Sequence, residues 1–478
     1  MKKPSRMVVV PLVVAAALFM ENLDSTVIAT ALPAIAHSLG ENPLHLNLAI
    51  TSYLLSLAIF IPISGWMADR YGARTIFRAA IVVFMLGSMA CGVAGSLPEL
   101  VAARILQGMG GAMMTPVGRL ILLRSIPKAE LVKAMSYLTV PALIGPVIGP
   151  PLGGFIVTYA DWRWIFFINI PIGIAGILAV TLLIDNVREE TVPPLDLRGF
   201  VLIGLGLAGL IFGFETVGRE VLPLGATLAL LAGGALCTGL YLWHSRRAKA
   251  PILDLGLMRL ATFRAAVLGG LLFRMGLGAL PFLLPLMLQL GFGMSALESG
   301  LLTFASAAGA MTMKMTAGPI IRAFGFRRVL IANAVISGLF LMGYSLFRPD
   351  TAHFVIFLAL LAGGFFRSLQ FTAINTLSYA DVSAPHMSKA TSFASMMQQL
   401  SLSIGVGIGA LLLHVTLSLR GAEQIGAGDF LPAFLTIGTL CVVSLAFFLP
   451  LARDAGAEVS GHRAVQAETQ TLRSEGQT

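Results

Sequence analysis

Five charged side chains stand in stretches apolar enough to cross a bilayer, and their types suit ion-coupled movement of a solute. Glu21 and Asp24 lie in the apolar stretch 7–35, and Arg104, Arg274 and Arg367 lie in three others. An ionisable group at membrane depth is costly and marks an ion or substrate pathway by default. Asp24 is 17 residues beyond Met7, about 25 Å along a helix. Glu21, three residues earlier, falls on nearly the same face. Acids one turn apart repel, and burial works against charge as well, so this pair suits proton uptake. Arg104 begins the fourth apolar stretch at a matching depth. It is the expected partner of Asp24 across a central cavity, with snorkelling to the interface as the alternative. Arg274, about 17 Å into its stretch, is expected to face the acids, and Arg367, about 21 Å into its own, repeats the position of Arg104. Lys314 and Arg119 lie near span ends and are expected to snorkel.

These five deep charges sum to +1 with both acids ionised and to +3 with both protonated. That balance favours an anionic or zwitterionic solute over a lipophilic cation. Gln107, Gln370 and Asn375 are the uncharged polar groups expected in the cavity. Asn22, Gln289, Gln398 and Gln399 fall in or near spans too, where bonding between helices competes with substrate contact.

The elements that must carry these residues are transmembrane helices. The chain of 478 residues is 57% hydrophobic and only 12% charged, against roughly 25% charged in soluble domains. Fourteen stretches are long enough to span: 7–33, 46–67, 76–95, 101–122, 134–158, 164–184, 197–214, 222–243, 263–290, 297–318, 328–347, 353–377, 392–415 and 429–451. Placing the N-terminus inside puts 23 of the 32 Lys and Arg residues at the inner face and 4 in outer loops. That asymmetry is the one membrane insertion imposes. Both termini are therefore expected in the cytoplasm, and the net charge of +9 reflects basic inner loops rather than nucleic-acid binding. The basic start Lys2–Arg6 runs into a stretch too long for a signal peptide and reads as the first span. Cys91, Cys237 and Cys441 are far apart, with neither metal spacing nor a disulfide framework.

A repeat organises the chain. Gly65, Asp69, Gly72 and Arg74 recur as Gly318, Arg322, Gly325 and Arg327, at offsets 0, +4, +7 and +9. A parallel repeat of this kind is expected of a carrier built from two halves. Glycine lets helices approach closely, Gly72 permits a tight turn, and Asp69 is expected to cap a helix start and pair with Arg70 and Arg74. The organisation read from this is 1–184, a first six-helix bundle; 185–262, a linker with two extra spans; 263–451, a second bundle; and 452–478, a disordered cytoplasmic tail.

With these residues in view, the chain resembles the major facilitator superfamily. Gly65 to Arg74 is similar to that superfamily's loop signature, with Gly65, Asp69, Arg70, Gly72 and Arg74 as the gating motif. Residues 104–111 are similar to its fourth-span motif. Leu23-Asp24-Ser-Thr26 through Pro33 and Trp162-Arg163-Trp164 through Pro171 resemble the fourteen-span drug:proton antiporters of the EmrB/QacA group. Gly145, Pro146, Gly149, Pro150, Gly153 and Gly154 resemble the fifth-span antiporter motif. The resemblance implies an all-α polytopic membrane protein with the major facilitator fold, two six-helix bundles and two extra helices. It implies proton-coupled efflux of small molecules by alternating access, with Asp24 at the coupling position; Glu21, which is not part of that signature, joins Asp24 and Arg104 in the expected proton-coupling group by its position alone. It also implies a bacterial inner-membrane location. Two departures stand out: Ala29 occupies a position usually held by Asn, and Arg322 replaces the acid of the loop motif.

Span five holds Pro141, Pro146, Pro150 and Pro151, which remove backbone donors and are expected to kink it, while its glycines invite tight packing between the halves. Uptake or uniport by the same fold is the competing transport reading, and a multidrug exporter of lipophilic cations is another. A membrane enzyme or sensor is disfavoured. The chain has no His-Glu-x-x-His, nucleotide-binding loop or Gly-x-Ser-x-Gly, and no stretch that reads as a soluble sensor domain. No cofactor beyond a proton gradient is expected, and the partners expected are a small solute and the lipid bilayer, around a monomer.

Overall fold

In the computed structural model, residues 6–41, 46–216, 222–421 and 425–462 are described. Lys2, Lys3, Arg219, Arg463 and Arg473, all used in the charge count, lie outside them, as do the side chains of Ala29, Pro146 and Pro150. The described residues are helical, with no strand. This follows from the apolar composition: in lipid a spanning segment must satisfy its backbone within itself. The first half comprises α1 (Arg6–Leu39), α2 (Asn47–Phe60), α3 (Ser64–Tyr71), α4 (Ala73–Val93), α5 (Leu97–Ser125), α6 (Leu131–Tyr159), α7 (Trp164–Phe167) and α8 (Asn169–Leu183). Two helices follow, α9 (Leu197–Thr216) and α10 (Leu224–Ser245). The second half comprises α11 (Ala261–Leu286), α12 (Ala296–Gly343), α13 (His353–Leu377), α14 (Met387–Arg420), α15 (Leu431–Val443) and α16 (Leu445–Phe448), and α17 (Ala457–Ser460) closes the described chain.

Among the described residues, twelve helical segments are long and apolar enough to cross a membrane, against the fourteen expected. Two features bear on the difference. The segment Glu298–Leu346 is one of the twelve, yet Gly325 breaks its helical geometry with φ 74° and ψ 161°. The 29-residue α5 carries Glu99, Arg104, Arg119 and Arg124 and is not among the twelve.

The repeat is visible in three dimensions. Gly72 and Gly325 both take positive φ, 91° and 74°, a region that disfavours residues with a Cβ. Arg74 Nη1 then donates to Ile184 O at 3.3 Å, just past the end of α8. Its counterpart Arg327 donates to Leu449 O at 3.3 and 3.1 Å, just past α16. Each half thus uses the same arginine to tie its second loop to its last helix. The face bearing these loops is called the basic face below.

The halves meet at the basic face through α3 and α5 against α14, and α6 against α12 and α13. The extra helices form a hairpin in which Gly206, Gly209 and Gly234 bring the two backbones together. Helix α9 touches α2 of one half and α14 of the other, so it spans the division between them. Large side chains such as Leu182, Leu224 and Leu419 are 73–84% exposed, as a lipid-facing surface requires.

One expectation fails at the C-terminus. The first part of the expected disordered tail, up to His462, is packed: Val459 is 1% exposed, and Gly456 sits against Phe326 and Leu377. The short apolar sequence around Val459 has a docking surface on α12, which the polar composition of the tail as a whole conceals. Residues 463–478 lie outside the described residues.

Candidate functional site

Asp24 and Arg104 do pair. Arg104 Nη1 lies 2.6 Å from Asp24 Oδ2, and both side chains are 1% exposed. The rest of the shell is complete. Gln107 Nε2 and Asn169 Nδ2 donate to Asp24 Oδ1 at 2.8 and 2.9 Å. Arg104 also donates to Gln107 Oε1 at 2.7 Å and, through Nε, to Ala49 O at 3.1 Å. Its guanidinium lies 4.2 Å from the Tyr53 ring centre. Asn169 donates in addition to Ser88 Oγ at 2.9 Å. Five helices, α1, α2, α4, α5 and α8, are thereby joined inside the first half. This corrects the expected setting: the pair is buried within one bundle, not spread across an open cavity. Nor does Arg104 snorkel.

Glu21 has a different environment, although it is one turn away on α1. Its side chain is partly exposed. Thr115 Oγ1 donates to it at 3.4 Å, and no cation forms an ion pair with it among the described residues. The two acids of this helix therefore stand in different environments.

The cations of the second half lie elsewhere. Arg274 Nη2 donates to Asn375 Oδ1 at 2.8 Å, and Arg274 Nη1 borders Gly270. Its partner is thus Asn375 rather than either acid, against the expectation from depth alone. Helical side chains lean towards the N-terminus of their own helix, and α11 starts at the basic face, so Arg274 reaches back towards that face. The same rule corrects Lys314 and Arg119. Both sit on helices that start at the opposite face, so both lean into the protein rather than out to the interface. Lys314 is 5% exposed and donates to Thr372 Oγ1 at 2.5 Å. Arg119, 8% exposed, donates to Gln398 Oε1 of the other half at 3.0 Å.

Lys314 and Arg367 share a cavity of about 470 Å³. Its walls are Leu277, Leu280, Leu284 and Phe371 from the second half, with Thr139 of α6 from the first. Arg367 is held by Tyr344 Oη at 2.9 Å and Ser306 Oγ at 2.5 Å. Both cations thus have hydroxyl partners, and no acid lines the cavity among the described residues. Phe371 lies 5.7 Å from the Arg274 guanidinium and 5.8 Å from the Lys314 ammonium. Gln370 is turned away, donating to Leu330 O at 3.1 Å, and Asn375 serves Arg274; neither lines this cavity.

The gating motif works through partners that spacing did not reveal. Asp69 lies in the last turn of α3 and caps no helix. It accepts from Arg124 Nη2 at 3.0 Å and from the hydroxyl of Ser388 on α14. Arg70 is exposed and Arg74 is tied to Ile184, so neither is its partner. Gly65 must be glycine: a Cβ there would stand 2.6 Å from Ser388 O. In the antiporter motif, Gly145 and Gly149 pack against α1 of their own half rather than the other half, and Gly154 faces open space. Gly153 is buried. Helix α6 remains one assigned helix through its prolines.

Asn169, Tyr53, Ser88, Arg124, Ser388 and Thr372 were not singled out from sequence. Asn169 had a signal, as a polar residue opening an apolar helix within a quoted motif. The hydroxyls had none.

A family model described as Major Facilitator Superfamily matches residues 14–262 and 266–475. The chain is 42% identical over 422 residues, 87% of each sequence, to "Putative multidrug resistance protein MdtD" of Salmonella paratyphi A and to the protein of that name from Salmonella typhi. Among solved structures, the human organic anion transporter MFSD10 superposes with a TM-score of 0.66 at 15% identity, covering 94% of this chain and 100% of that one. The proton:xylose symporter XylE superposes with a TM-score of 0.65 at 15% identity, covering 96% and 98%. At such identity the two structures speak for the fold alone.

Proposed function

This chain belongs to the Major Facilitator Superfamily, and we propose that it is a proton-coupled exporter of small organic solutes that carry an anionic group. The observation that carries this reading is the cavity of about 470 Å³ with Lys314 and Arg367 in its wall and no acid beside them. Buried cations without counter-ions are costly, and a bound anion relieves both. Four apolar side chains around them suit the body of an amphipathic molecule.

The coupling proton is assigned to Glu21. Asp24 is fully engaged by Arg104, Gln107 and Asn169 and acts as a fixed ionic tie. Glu21 has a weak hydroxyl contact and partial exposure, so it can exchange a proton without dismantling a network. Antiport requires proton and solute to exclude one another. Glu21 does not line that cavity, and protonating it makes the solute pathway as a whole more positive, which by itself favours an anion and gives the wrong sign. A cationic group on the solute corrects the sign by competing with the proton for Glu21. The preferred substrate is accordingly zwitterionic, with its anionic end at Lys314 and Arg367.

Alternating access supplies the cycle. The described contacts between the halves gather at the basic face, through Gly65, Asp69 and Arg119, so this structure represents the state closed there. Positive-inside asymmetry supports a cytoplasmic basic face and, with it, an outward-facing state of an inner-membrane carrier. Counting α12 as two spans about Gly325 and α5 as a further one is the reading that would restore the fourteen expected. The relatives' name favours a second reading, export of lipophilic cations bound by Glu21 and the apolar wall. Proteoliposome transport of zwitterions, organic acids and cationic dyes separates the two, and export of dyes alone contradicts the first.

A further inference from the structure

The halves close along two seams related by the repeat, and the seams differ. In the first, Gly65 of α3 lies against Ser388 of α14, where a Cβ would be 2.6 Å from the carbonyl oxygen. Four residues on, Asp69 accepts from the Ser388 hydroxyl and lines a crevice of about 30 Å³ with Lys389. In the second, Gly318 of α12 lies against Val132 of α6, where the nearest atom to a Cβ would be 4.0 Å away. Four residues on, Arg322 lines a cleft of about 690 Å³ with Lys133. The correspondence is residue by residue. Gly318 and Arg322 follow Gly65 and Asp69 by 253 positions, and Ser388 and Lys389 follow Val132 and Lys133 by 256.

The first seam therefore sets an acid opposite a lysine. The second sets an arginine opposite a lysine, in a larger space, with no acid among its lining residues. The nearby Glu458 is drawn instead to Lys128, at 3.8 Å. Lys314 borders the cleft from deeper in the membrane, with its ammonium bonded to Thr372. Met315, 83% exposed, and the exposed Pro319 and Ala323 form an apolar lip. The cleft thus runs from two exposed cations at the basic face to an apolar wall about 10 Å further along α12. That polarity matches a lipid entering from the side, and basic pockets between helices on this face of a membrane hold anionic headgroups.

We propose that an anionic phospholipid of the leaflet at the basic face occupies the second seam. Its phosphate sits between Lys133 and Arg322, and an acyl chain lies along Pro319 and Met315. The lipid supplies the negative charge that Asp69 supplies in the first seam.

The full chain, stripped of lipid in detergent, is titrated with phosphatidylglycerol, phosphatidylcholine or soluble glycerol 3-phosphate. Retention is read by native mass spectrometry and stability by thermal unfolding. Phosphatidylglycerol is expected to bind and stabilise in preference to the other two. Lys133→Gln and Arg322→Gln each weaken its binding by roughly fivefold, the effect of one surface cation on an anionic lipid. Arg322→Asp, which copies the first seam's acid, removes the preference. Equal binding of the two lipids, or Gln variants that retain phosphatidylglycerol like the wild type, overturns the proposal. Protection by glycerol 3-phosphate equal to that by phosphatidylglycerol overturns it in favour of a soluble phosphate site. Should the Arg322 variants fail to fold, the exposed Lys133→Gln decides by itself.

Discussion

Arg104 holds Asp24 at 2.6 Å where both side chains are 1% exposed, while Glu21, one turn earlier on the same helix, forms no ion pair among the described residues. Two acids that look equivalent in sequence thus divide the work. The function proposed above gives the first the role of a tie between helices and the second that of the proton-exchanging group.

Breaking the tie by removing one partner leaves a buried charge, at a cost of about 3–5 kcal/mol. Arg104→Gln is therefore expected to lower the unfolding temperature sharply in detergent. Adding Asp24→Asn removes the stranded charge and recovers part of the loss. A double variant no more stable than Arg104→Gln would show that the two residues do not act as a pair.

Asp69 fastens α3 to α14 through Ser388 and is steadied by Arg124. Asp69→Asn weakens both contacts by about 1–3 kcal/mol and shifts the resting population towards a state open at the basic face. Spin labels at the exposed positions Arg70 and Ser383 report this as a longer distance between the halves. An unchanged distance distribution contradicts the latch.

Lys314 and Arg367 are assigned to the anionic end of the solute. Replacing either with Gln removes a charge-assisted hydrogen bond of about 1.5–3 kcal/mol, roughly a 10- to 100-fold loss of affinity. Binding of cationic dyes is expected to stay within a few-fold of wild type. Calorimetry on the purified protein checks both arms, and an equal loss for dyes and acids argues against an anion subsite.

Much of this was legible in the sequence, and one physical rule accounts for much of what was not. Hydropathy and the spacing of Gly65, Asp69, Gly72 and Arg74 were enough for helices and a twofold repeat, because both are dictated by local chemistry. The Asp24–Arg104 pair followed from depth and opposite charge. Depth counted along a helix axis misplaced Arg274, Lys314 and Arg119, because it ignores the lean of side chains towards the helix start. Read with that lean, Lys314 on α12 points inwards and Arg274 on α11 points back to the basic face. The partner of Asp69 was out of reach for another reason: Ser388 lies 319 residues away, and one serine among many carries no pattern.

The most direct test of the account is transport driven by an imposed pH gradient in proteoliposomes, comparing wild type, Glu21→Gln and Asp24→Asn at saturating zwitterionic solute. Glu21→Gln is expected to let solute equilibrate but not accumulate against its gradient, at a rate that no longer varies with pH. Asp24→Asn, where it folds, is expected to keep gradient-driven accumulation at a reduced rate. Accumulation at the wild-type level in Glu21→Gln, with its loss in Asp24→Asn, would contradict the assignment of the coupling proton.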